Sequence, residues 1–174
     1  MILTANTQTN SSAVILAEAL VQWGKAHIQN AHQFQQITSV SPIIAEVFTL
    51  LQSEAAEKDI MLTNNTFQKV NVPVSKSIIN FMILNLVNNS IKYSSEGRIE
   101  VACETERNWL YISVKDAGVG MTVEQIEKVM QPNATSGTGL TIINEFLQQL
   151  QGGMVIDSIP RKGTTVTLSI PLNN

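Results

Sequence analysis

The sequence holds one cysteine, Cys103, and little formal charge: 14% of its residues are Asp, Glu, Lys or Arg, about half the usual share of a soluble chain. A single cysteine excludes an internal disulfide framework and a cysteine-based zinc site, and it is compatible with a reducing cytoplasm. With 11 basic against 14 acidic residues, a net charge of −3 and no basic run, the chain lacks the positive field that holds nucleic acid. No apolar run approaches the roughly 18 residues of a membrane span, so no membrane contact by this chain is expected. The opening stretch, Met1–Ser12, is polar and uncharged, unlike a secretory leader. A hydrophobic content of 44% excludes a disordered chain. Amides fill the place of charge, with 15 Asn and 13 Gln.

The length, 174 residues, suits one domain with a short extension. Ala13, Leu16, Leu20, Trp23, His27, Ala31 and Phe34 recur at helical spacing and predict an N-terminal helix over 13–36 with one apolar stripe. That divides the chain into a lead-in and helix, 1–36, and a domain, 37–174. Ser41-Pro42 predicts a helix start, with the helix running over 43–58. A strand is expected over 60–66. Ser75 caps a strong helix over 76–93. Strands over 98–104 and 109–115 form a hairpin linked by 105–108. A short helix over 123–130, a helix over about 137–150 and strands over 154–158 and 164–170 complete the order. Hairpin-linked strands between helices predict a two-layer α/β sandwich with a mixed, mostly antiparallel sheet covered by helices on one face. Several links are too short for a doubly wound parallel sheet.

Three polar clusters interrupt this pattern. Asn85, Asn89 and Lys92 share a face of one helix. They read as a solvated stripe, or as amide oxygens and an ammonium able to hold hydrated Mg²⁺ and phosphate. Asn is a poor helix former, and an exposed face more naturally carries Glu or Lys. DAGVGM (116–121) follows an apolar strand. It reads as an Asp-Gly turn, or as a loop close to a planar ligand whose Asp accepts from an exocyclic amine. SGTGL (136–140) opens a helix, where free N–H groups favour an anion; alone it is a glycine-assisted helix start.

In order and spacing, NLVNNSIKYS (85–94), DAGVGM, GTGL (137–140) and the closing stretch from Gly153 to Pro171 resemble the catalytic ATP-binding domain of sensor histidine kinases, within the GHKL superfamily. The resemblance covers about residues 40–172. It implies ATP and Mg²⁺ as cofactors, a phosphoacceptor histidine domain and a response regulator as partners, and a cytoplasmic location. It implies Asn89 as the Mg²⁺ ligand and Lys92 as a phosphate-contacting base. Tyr93 would lie over the nucleotide and Asp116 would select adenine. Gly118, Gly120 and Met121 stand in the same loop, Gly137, Thr138, Gly139 and Leu140 lie below the phosphates, and Thr165 supplies a strand hydroxyl beside Asp116. Asn85 stands where the superfamily's ATPases place a water-activating Glu. An amide takes no proton, so it fits an enzyme that holds ATP for transfer rather than hydrolysis.

The sequence departs from that family in several places, Thr141 and a slightly irregular link to Gly152-Gly153 among them. VMQPN (129–133) replaces a Phe-rich box, and Ala134–Ser136 alone stands where a long lid is usual; a lid shields the triphosphate from water. Neither His27 nor His32 sits in an acceptor motif, and a five-residue spacing puts them on different helix faces, so they form no metal pair. Two readings follow: a protein-histidine kinase domain whose acceptor lies elsewhere, or a regulatory module of the same fold, degenerate or anti-sigma-like, that signals by protein contacts. The stripe over 13–36 would serve a homodimer or fold back on its own domain.

Overall fold

The computed structural model describes residues 37–66, 70–131 and 139–172. The expected N-terminal helix, the dimer stripe and both histidines lie outside the described residues, as do Gly137 and Thr138.

Helix α1 (Val40–Ala56) buries Val40, Ile43, Ile44, Val47, Leu51 and Ala55, a stripe spaced by three and four. It starts earlier than expected, so Pro42 is its third residue rather than its start. A proline costs nothing there, because first-turn N–H groups have no helical partner. Helix α2 (Lys76–Tyr93) begins as the sequence predicts: the Ser75 hydroxyl accepts the Ile78 N–H at 3.4 Å. Its buried residues run from Ile78 to Ile91 around most of its circumference, the mark of a helix packed on several sides.

Five strands form the main sheet in the order β2 (Ile60–Asn64), β4 (Gly97–Glu106), β5 (Trp109–Asp116), β7 (Gly163–Pro171) and β6 (Gly153–Ile159). Only β2 and β4 run parallel. Helix α2 lies on the long connection between them, as a parallel pair requires. The expected four-residue link between β4 and β5 tightens to two. Arg107 and Asn108 both take positive φ, 46° and 68°, the left-handed pair that matches strand twist in a two-residue hairpin.

Alternation decides the buried face. Ile99, Val101 and Cys103 on β4, Leu110, Ile112 and Val114 on β5, and Val166, Leu168 and Ile170 on β7 are all buried. Against this face pack α1, α2 and α4 (Gly139–Gln149); Phe81 and Phe146 meet edge to face at 5.7 Å. The amphipathic helix α3 (Val123–Met130) buries no residue fully and is closed by a capping box between Thr122 and Gln125. Two short strands the sequence did not announce, β1 (Thr38–Ser39) and β3 (Asn71–Val72), pair antiparallel as a separate sheet. Strands of two residues carry no readable period. Among the described residues no helix is long and apolar enough to cross a membrane.

Candidate nucleotide site

Strand β5 ends on Asp116, and the chain turns at once into the glycine loop. The Asp116 carboxylate is held from three sides: Oδ1 accepts the N–H groups of Gly118 at 2.9 Å and Thr164 at 3.1 Å, and Oδ2 accepts the Ser90 hydroxyl at 3.0 Å. Charge-assisted bonds of this kind fix a carboxylate's orientation. One acceptor direction of Oδ2 remains for a ligand, since a carboxylate has about four lone-pair sites.

The loop is pinned on both flanks. Val119 N–H donates to the Tyr93 carbonyl at 3.0 Å, and Arg161 N–H to the Val119 carbonyl at 2.7 Å. Met121 N–H donates to the Ser158 hydroxyl at 2.8 Å; that hydroxyl also lies 2.9 Å from the Gly163 carbonyl and 2.9 Å from the Thr164 hydroxyl. Gly120 adopts φ +66°, and a Cβ there would collide with the Ile159 carbonyl. Only glycine satisfies both conditions without strain.

Between α2, the loop, α3, the start of α4 and β7 lies a cavity of about 440 Å³, within the range of small-ligand pockets. Asn89, Ser90 and Tyr93 form its α2 wall, and Asp116, Gly120 and Met121 its loop wall. Leu140, Thr164 and Val166 close the far side, while Lys128 of α3 stands at its edge. One end is therefore apolar with a fixed acceptor, suited to a flat heterocycle bearing an amine. Toward α4 the wall turns to an amide and to a helix start, where free N–H groups favour an anion.

The expected site residues do not all meet here. Asn89, Tyr93, Asp116, Gly120, Met121 and Leu140 line the cavity, and Gly118 supplies an N–H to Asp116. Lys92 is exposed, its ammonium 5.3 Å from the Tyr93 ring centroid, and does not line the cavity. Asn85 is turned aside: its Nδ2 donates to the Phe81 carbonyl at 3.0 Å, and its Oδ1 abuts Gly139 so closely that a Cβ at 139 would collide with it.

Thr165 is displaced by one residue from its expected role. It pairs in register with Lys115 and Asp157, on the sheet face opposite Val166, because strand side chains alternate. Thr164 holds the place beside Asp116 instead. The signal was present: the apolar series Val166, Leu168, Ile170 assigns even positions to the helix side. Ser90 was also missed, a serine just 6% exposed within an apolar helix.

Cys103 faces the core, and burial pushes its thiol up to about 11, so it stays a neutral thiol near neutral pH. Among the described residues no cluster of three or more His, Cys, Asp or Glu could cage a metal ion.

A sheet backed by helices, with an asparagine-bearing helix and an Asp-glycine loop enclosing one cavity, defines the class of GHKL-type domains. Residues 76–174 match the family described as Histidine kinase-, DNA gyrase B-, and HSP90-like ATPase, and the chain belongs to that family. Among curated relatives it is 29% identical over 184 residues to sensor histidine kinase WalK of Bacillus subtilis (strain 168), covering 95% of this chain and 30% of that protein. It is 32% identical over 133 residues to sensor protein DegM of Bacillus sp. (strain B21-2), covering 73% and 36%. The chain thus spans about a third of the length of these relatives. In fold it is similar to histidine kinase AdeS of Acinetobacter baumannii, with a TM-score of 0.74 and 18% identity over 91% of this chain and 78% of that one. The catalytic domain of histidine kinase ThkA aligns with a TM-score of 0.68 and 23% identity over 79% and 96%.

Proposed function

We propose that the chain binds Mg·ATP in this cavity and acts as the catalytic domain of a protein-histidine kinase, presenting the γ-phosphate to a histidine on an acceptor domain, with a response regulator downstream. The observation that carries the proposal is the Asp116 carboxylate, oriented by Gly118, Thr164 and Ser90 at the apolar end of the cavity. An acceptor fixed in that way selects the exocyclic amine of adenine over the carbonyl of guanine, because an unpaired buried acceptor is costly.

The donor set fits Mg²⁺ as a nucleotide-borne ion. Mg²⁺ keeps most of its ligands as water and phosphate oxygens, so one protein oxygen, the Asn89 amide, suffices. When bound, the ion neutralises phosphate charge. Lys92 adds a second positive charge at this end of α2, its chain free to swing from the Tyr93 ring. Asn85 works differently from a catalytic base: it takes no proton, and its amide is spent on the Phe81 carbonyl, so water facing the γ-phosphate stays unactivated. Catalysis is then positioning and charge neutralisation. The family resemblance assigns Gly137 and Thr138, which lie outside the described residues, to the phosphates together with Gly139 and Leu140. A cytoplasmic location follows from the need for ATP, and residues 1–36 would join the domain to an acceptor segment or to a second copy.

Mixing the chain with an isolated histidine acceptor domain and γ-labelled ATP tests the proposal. Label on the acceptor, lost when its histidine is replaced, supports it. Nucleotide binding without any transfer would leave the regulatory-module reading in its place.

A further inference from the structure

We propose that Lys58 is a positioning residue of the nucleotide site, acting through the C-terminal end of α2; the proposal rests on the reading of this cavity as that site. The last carbonyls of a helix have no helical donor. Here every carbonyl from Ile91 to Ser94 has a partner from elsewhere. Lys58 Nζ donates to Ile91 at 2.7 Å, to Lys92 at 3.3 Å and to Ser94 at 3.3 Å, and the Tyr93 carbonyl accepts the Val119 N–H at 3.0 Å. An ammonium has three protons, and all three are used. Its charge also sits at the negative end of the helix dipole.

The turn after α1 fixes where this ammonium stands. Lys58 N–H donates to the Ala55 carbonyl and Asp59 N–H to that of Ala56, both in the turn before β2. Asp59 then takes φ 53° to start the strand. Helix α2 ends on Ser94 in an extended conformation, without the usual C-terminal glycine. Lys58 supplies from another element what a C-cap supplies locally.

The consequence reaches the cavity. Asn89, Ser90 and Tyr93 on the last turn form one wall, and Ser90 orients Asp116. The Tyr93 carbonyl anchors the glycine loop at Val119. Releasing Lys58 frees the last turn of α2 and, through Tyr93, the loop.

Amide hydrogen exchange, read by NMR on the full chain, tests this without nucleotide. In Lys58→Met the Val119 amide exchanges about tenfold faster or more, while Ile112 in the sheet keeps its rate, as loss of a charged hydrogen-bond donor predicts. Mg·ATP affinity falls by a similar factor, and Lys58→Arg recovers most of both. An unchanged Val119 rate, or equal acceleration at Ile112, overturns the proposal. Should Lys58→Met fail to fold, the ammonium ¹⁵N signal of Lys58 in the parent decides: slow proton exchange supports the clamp, and exchange as fast as that of Lys92 overturns it. If the parent binds no Mg·ATP the nucleotide reading fails, yet the exchange comparison still decides whether Lys58 holds the loop.

Discussion

The amide oxygen of Asn85 occupies the space that any side chain at position 139 would need. One residue of α2 and the first residue of α4 thereby meet in close contact beside the cavity. Gly139→Ala forces Asn85 off its rotamer or parts the helices, a misfit that costs about 1–3 kcal/mol. Removing the obstruction in Gly139→Ala/Asn85→Ala returns stability toward the parent. Thermal melts of both single variants and the double measure the coupling; simple additivity contradicts the contact.

Thr164 and Thr165 are chemically alike and lie on opposite sheet faces, which makes them a matched pair. Thr164→Val removes the hydroxyl that faces Ser158 and the cavity but keeps the backbone N–H that binds Asp116. Mg·ATP affinity should fall about fivefold to tenfold, the worth of about 1 kcal/mol for one hydrogen bond. Thr165→Val leaves affinity unchanged. The reverse ranking in a calorimetric titration contradicts the assignment.

Cys103 makes a prediction in alkaline solution. Its thiol is pushed from 9.0 to about 11 in the fold by burial. The neutral form is thus favoured when folded, so the unfolded chain releases its proton first. Stability is fully present below pH 9.0 and is lost as pH rises toward about 11, by roughly 2–3 kcal/mol. In Cys103→Ala this part of the alkaline loss disappears from urea melts. At neutral pH, iodoacetamide labels the thiol only after unfolding.

The helices were legible because their signals are local and repeated. Ser75 and the apolar run from Ile78 to Ile91 announced α2, with both ends read correctly. Asp116 and its glycines were legible because a strand ending on Asp-x-Gly-x-Gly is short-range chemistry. What escaped reading depends on contacts distant in sequence. Lys58 meets carbonyls 33 to 36 residues away, and nothing around it in the sequence marks it. Asn85 had the spacing of a ligand-facing residue, but its rotamer is settled by Phe81 and Gly139. Family likeness points to Thr165, whereas the two-residue period of β7 puts Thr164, not Thr165, on the side of Asp116.

The central claim is that Asp116 offers a bound adenine its acceptor, and one variant isolates that atom. In Asp116→Asn the amide oxygen still accepts from Gly118 and Thr164, and the Ser90 hydroxyl can reverse to accept from the new NH₂, so the fold survives. The group facing the ligand changes from acceptor to donor. Isothermal titration with Mg·ATP should show binding to the parent and a loss of at least about tenfold in Asp116→Asn, the worth of a hydrogen bond to a charged group, with the melting temperature nearly unchanged. Equal affinity in the two proteins, or no heat of binding in the parent, contradicts the account.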